Sequence, residues 1–86
     1  EVMDFFKAVK QGETAAVSAW LQGGGDPDVQ DHNGMTGLML AVDNGHQDIL
    51  VMLVKAKAKL NLTALGFAMD NGNVEAAALL RKAGAK

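Results

Sequence analysis

Eighty-six residues, 49% of them hydrophobic, suffice for one small domain with a modest core. The net charge of −2 gives no whole-chain attraction for nucleic acid, and the absence of cysteine excludes disulfides, thiol catalysis and the best zinc ligands. No apolar run approaches the ~20 residues of a membrane span, and no signal peptide is visible. A small secreted domain without disulfides would be unusual, so an intracellular location (cytosol, nucleus or organelle interior) is expected over secretion. The chain starts at Glu1 rather than Met, the expectation for a piece of something longer.

Phe5, Phe6, Ala8 and Val9 share one face of a first helix, with Asp4 expected as its N-cap. Gly12 stops that helix, since glycine takes the left-handed end position without strain. Residues 14–21 form a second helix, with Val17, Trp20 and Leu21 at helical spacing. The run Gly23-Gly24-Gly25-Asp26-Pro27 is a loop, and Asn33-Gly34 is a tight turn. Thr36 then precedes a short helix through Val42, Gly45 breaks it, and residues 48–55 form the next. Residues 63–69 and 74–83 repeat the pair around Gly72. The expectation is an all-α fold of six helices in three hairpins, with no strand-length alternating segment.

The breaks recur in matching runs: Lys10-Gln11-Gly12-Glu13, Asp43-Asn44-Gly45-His46 and Asp70-Asn71-Gly72-Asn73. The first two glycines are 33 residues apart and the next two 27 apart. A 33-residue period marks one repeat architecture. The stretch Asp31-His32-Asn33-Gly34-Met35-Thr36-Gly37-Leu38-Met39-Leu40-Ala41-Val42-Asp43-Asn44-Gly45-His46 resembles the ankyrin repeat, and Gly24-Gly25-Asp26-Pro27-Asp28-Val29 resembles that family's G-A-D-x-N loop. The resemblance covers essentially the whole chain, as repeats of about 1–30, 31–61 and 62–86, and is most specific in the middle one. It implies a solenoid of stacked helix-loop-helix units with β-hairpin tips, which binds other proteins along the hairpins and inner helices and carries no catalytic residues.

The sequence departs from the family in several places. The T-P-L-H start reads Thr36-Gly37-Leu38-Met39 and Thr63-Ala64-Leu65-Gly66. Glycine in place of the helix-starting proline is expected to cost roughly 1 kcal/mol, and the histidine's hydrogen bond to the threonine is lost. Lys57 occupies a left-handed glycine slot, at a cost on the order of 1 kcal/mol. These changes predict a marginal stack, or one stabilised by a partner. The 27-residue interval lacks a hairpin tip between Asn61 and Leu62, because either the chain truly lacks it or a flexible tip is missing from the sequence.

No chemistry-bearing constellation assembles. Asp26–Asp31 has carboxylates, but Asp31 and Gly37 stand where a calcium loop needs Gly and Glu. His32 and His46 are 14 residues apart with no companion ligands, so no metal or other cofactor is expected. Ser18 is the only serine and has no nucleophile elbow around it, and the glycines at 23–25 precede Asp-Pro rather than a phosphate loop's Lys-Ser. The basic groups Lys55, Lys57, Lys59 and Arg81, Lys82, Lys86 suit the negative ends of helices. Met52 and Met69 are expected as core filler, Met35 as a surface contact, and Trp20 as core.

The expected partner surface comprises His32, Asn33 and Met35 at the hairpin rim, with Asp43, Asn44, Asp70 and Asn71 ending the inner helices. Stacking would join the two Asp-Asn pairs on an acidic concave face suited to a basic or amphipathic peptide. Alternatively, Asp-Asn-Gly is only a good helix stop. The run Ala76-Ala77-Ala78-Leu79-Leu80 offers small apolar residues for another element to pack on, so an assembly module forming homo- or hetero-oligomers end to end is the second reading. A third is an appendage regulating an enzyme elsewhere in a longer chain. No nucleic-acid partner and no membrane insertion are expected.

Overall fold

The computed structural model describes residues 2–56, 58 and 62–84 (at 62–64 and 67 the backbone only). Six helices appear in chain order: α1 (Val2–Gln11), α2 (Thr14–Gln22), α3 (Gly37–Asp43), α4 (Gln47–Lys55), α5 (Leu62–Asp70) and α6 (Val74–Ala83). Asp4 lies within the first turn of α1 rather than capping it, where its carboxylate still suits the positive helix end. Glycines 12, 45 and 72 adopt φ of 76°, 74° and 67°, the left-handed conformation that lets each helix stop and the chain reverse. The junction at Asn61–Leu62 lies outside the described residues, as do Lys57, Lys59 and Lys86.

The helices form two rows. α3 packs between α1 and α5, and α4 packs between α2 and α6, while each pair closes on itself. The seam between the rows holds the fully buried Phe5, Val9, Leu38, Ile49, Leu53 and Leu80. No sheet forms among the described residues; Gln30 and Thr36 make one isolated antiparallel bridge.

Gly37 corrects the expectation of a simple weak point. It is buried, and a Cβ added there would lie 2.7 Å from Phe5 Cζ and 3.4 Å from Leu53 Cδ1. The missing side chain therefore makes room for an aromatic ring from the first repeat. Phe5 stacks on Trp20 with centroids 5.1 Å apart, and Trp20 in turn covers Gly25, where a Cβ would meet its indole at 2.3 Å. Trp20 is thus half-buried and anchored on the core. Two glycines and two aromatics act as one packed unit, exchanging side-chain volume between neighbouring positions.

Two other packing expectations need correction. Met69 is 56% exposed rather than core, because it lies at the position that a following helix pair covers in the first two repeats. Met52, by contrast, is half-buried and packs against the core, in keeping with its expected role as filler. On α6, Ala76, Ala77 and Leu80 are already buried in the stack, so they are not the free face expected of that run; Ala78 is exposed and Leu79 half-buried.

Candidate partner-binding surface

The turn between the first and second helix pairs is organised by Asp31. Its Oδ1 accepts hydrogen bonds from the amides of Asn33 at 2.8 Å and Met35 at 2.9 Å, while its own amide donates to the Met35 carbonyl at 2.9 Å. Gly34 takes φ 78° at the tight corner. The Met35 amide is the largest cause; desolvation opposes it and comes second, and the Asn33 amide and the charges of His32 and Lys10 add to the lowering, so the Asp31 carboxyl is held below the ordinary aspartate range. This geometry leaves His32 and Asn33 exposed at the apex. Met35 is half-buried against the core, so it is less available than expected, because the clasp by Asp31 turns the chain back toward α3.

Thr36 then starts α3 by accepting from the Met39 amide at 3.3 Å. Met39 itself, in the position of the family's histidine, is buried apolar volume. α3 ends at Asp43 and α5 at Asp70, and the two helices pack side by side. Asp43, Asn44, Asp70 and Asn71 are all exposed. The Asn44 amide donates to the Leu40 carbonyl at 2.8 Å, so part of its hydrogen-bonding capacity serves its own helix end.

The sequence reading missed the contribution of α1. A cavity of about 300 Å3 lies between α1 and the turn, lined by Met3, Phe6, Lys7, Lys10, Asp31 and His32 among others. Residues 3, 6, 7 and 10 fall on one helical face, a spacing visible in the sequence. What the sequence does not display is that the turn folds against this face. The cavity's charged lining is mixed, with Lys7 and Lys10 beside Asp4 and Asp31, so the uniformly acidic character expected of this side does not extend to α1.

The role of His46 was also missed. It precedes α4 without a side-chain cap to that helix. Its Nε2 lies 2.9 Å from the Lys10 carbonyl, reaching from the second repeat to the end of α1. That carbonyl is one of the four that a helix C-terminus leaves without an internal partner. The ring sits over Gly12, where a Cβ would come within 2.9 Å of it. The third repeat has Asn73 in the matching place, whose side chain instead accepts from the Ala76 amide at 3.1 Å and caps its own helix. The first two repeats are therefore joined by a polar clamp that the third replaces with a local cap.

Among the described residues, no three His, Asp or Glu side chains gather as a metal site, and no helix is long and apolar enough to cross a membrane. Lys55, Arg81 and Lys82 occupy the last turns of α4 and α6, where they offset the helix dipole.

A family model of ankyrin repeats, in three copies, matches residues 5–86. The chain belongs to the ankyrin-repeat family. Ankyrin repeats generally serve as protein–protein interaction modules, and the family is typically non-catalytic. The three helix pairs, the left-handed glycines between their helices and the Thr36 cap are the features of this chain that express the repeat. The His46 clamp and the Gly37–Phe5 exchange join its first two repeats.

Proposed function

We propose that this chain is a non-catalytic module that binds a protein or peptide along the 31–35 turn and the C-terminal ends of α3 and α5. In this reading the three repeats, with boundaries at 30/31 and 61/62, form a short solenoid whose hairpin tips and inner helices make one concave face. The observation that carries it is the cavity between α1 and the turn, with the exposed His32 on its wall and the apolar Met3 and Phe6 side chains within it. An apolar side chain of the partner fills that cavity. Lys7 and Lys10, in a lining that also holds Asp4 and Asp31, favour a polar residue able to pair with either sign beside this anchor, and Asp43 and Asp70 favour basic residues farther along. The partner segment is thus amphipathic, with an apolar anchor at one end and basic residues at the other.

Peptides selected from a displayed random library against the 86-residue chain test the reading. Asp43→Lys with Asp70→Lys is expected to weaken the selected peptides roughly tenfold, a change of about 1.4 kcal/mol. His32→Ala weakens those carrying the apolar anchor. Affinities that change less than twofold in both variants would remove this surface as the binding face.

A further inference from the structure

The chain contains three Asn-Gly steps, Asn33-Gly34, Asn44-Gly45 and Asn71-Gly72, and all three asparagines are exposed. An asparagine followed by glycine can close a ring on itself, because no Cβ on the next residue crowds the attacking nitrogen. The glycine nitrogen attacks the asparagine Cγ, its proton passes to the side-chain amide, the Cγ–Nδ2 bond breaks and ammonia leaves. Water then opens the imide ring at either carbonyl, which leaves aspartate or isoaspartate. The glycine nitrogen and the side-chain carbon must turn toward each other, so every bond that holds either one elsewhere must first open.

The structure separates three steps that the sequence writes alike. Asn44 is held on both sides. Its Nδ2 donates to the Leu40 carbonyl at 2.8 Å, while the Gly45 amide donates to the Val42 carbonyl at 3.2 Å and the His46 amide to the Ala41 carbonyl at 2.9 Å. The two backbone bonds are the paired closure of a helix that ends in a left-handed glycine. Asn71 sits in the same closure, with the Gly72 amide on the Met69 carbonyl at 3.1 Å and the Asn73 amide on the Ala68 carbonyl at 2.8 Å. No helix stands directly behind Asn33. The Gly34 amide donates to the Asp31 carbonyl at 3.0 Å and, among the described residues, no hydrogen bond ties the Asn33 side chain. The amides of Asn33 and Met35 go to the Asp31 carboxylate, and they hold neither the Gly34 nitrogen nor the Asn33 side chain.

We propose that Asn33-Gly34 is a site of intramolecular deamidation, which reacts ahead of the two helix-end steps. Either product adds a negative charge at the apex of the turn, beside Asp31. Isoaspartate also lengthens the main chain by one carbon between the amides of residues 33 and 35. Those amides then no longer converge on a single Asp31 oxygen, and the clasp that shapes the turn is undone. The chemistry depends on the turn and not on the partner-binding reading of this surface, so each can fail without the other.

Ageing the 86-residue chain in mildly alkaline buffer tests this. Cleavage after Lys10 and Lys55 leaves Asn33 and Asn44 in one peptide, where tandem mass spectrometry locates the mass gain of amide-to-acid conversion; Asn71 is read from the peptide that ends at Arg81. Each additional bond that must open lowers the reactive population roughly fivefold, so Asn33 is expected to convert at least about tenfold faster than Asn44, and faster than Asn71. In urea, where the helix closures are gone, the three rates are expected to converge. A folded chain in which Asn44 or Asn71 converts as fast as Asn33 overturns the proposal. So does an Asn33 that stays intact in the folded chain over the time in which the unfolded chain converts. A rate difference that persists undiminished in urea also overturns it, since the cause would then be the neighbouring sequence and not the fold.

Discussion

Restoring a side chain at Gly37 is expected to destabilise this protein, although Gly at a helix start ordinarily invites replacement. The Cβ of Gly37→Ala would lie 2.7 Å and 2.9 Å from Phe5 Cζ and Cε2. Phe5 is 2% exposed, stacked on Trp20 and 5.6 Å centroid-to-centroid from Phe6, so its ring cannot shift without disturbing both aromatic neighbours. Overpacking of this kind costs about 1–3 kcal/mol. The helix-propensity gain of Ala over Gly is at most about 1 kcal/mol and is smaller at a first helical position. The net loss is about 1–2 kcal/mol, a fall in Tm of roughly 5–15 °C for a domain of this size. Urea unfolding followed by circular dichroism measures it, with Trp20 fluorescence reporting the first repeat. The decisive comparison is a double-mutant cycle with Phe5→Leu, which vacates the space that the new methyl needs. The double variant should be more stable than the sum of the two losses by about 1 kcal/mol or more, the coupling expected of contacting residues. A stabilising Gly37→Ala, or additive losses, would refute the volume exchange. The same reasoning predicts that Gly37→Pro, the family's usual residue, is harmful here.

His46→Ala removes the side-chain bond to the Lys10 carbonyl and is expected to cost about 1 kcal/mol, loosening α1 first; amide hydrogen exchange that accelerates no more in α1 than in α6 would contradict the clamp. The Asp31 carboxyl is held below the ordinary aspartate range, so its contribution is complete above that range and disappears as pH falls through the depressed value. Carboxyl NMR should show Asp31 titrating below the ordinary range, and Asp31→Ala should remove that part of the acid dependence of stability; a normal or raised titration would contradict the clasp at Asn33 and Met35.

Helix positions were legible because they depend on local signals. Glycine breaks and the 3.6-residue spacing of Phe5, Phe6 and Val9, or of Ile49, Leu50 and Leu53, act within one or two turns of chain. The helix ends fell within a residue or two of expectation, as fraying helix termini allow. The turn at 31–35 was legible at Asn33-Gly34 for the same reason, and its exposure of His32 and Asn33 followed. Asp31 was less visible, since a carboxylate before a turn reads as solvated until its amide partners are placed.

Exposure at the repeat ends was not legible from helix periodicity. Met69 has the same place in its helix as Val9 and Val42, and its sequence neighbourhood marks it as core. Its exposure depends on whether another repeat stands beside it, a fact that belongs to the stack and not to the helix. The mixed-charge wall of the cavity escaped for a related reason: Lys7 and Lys10 share a face in any helical reading, but the turn that folds against them is more than twenty residues away.

The sequence by itself determined the repeat, its helices and their breaks, because those rest on backbone preferences and short-range periodicity. Only the tertiary structure decided how non-neighbouring residues share space and hydrogen bonds. Gly37 became a receptacle for Phe5, His46 a partner for the last turn of α1, and Met69 an uncovered face. Each outcome depends on what the neighbouring repeat places within a few ångströms, and no local preference encodes that distance.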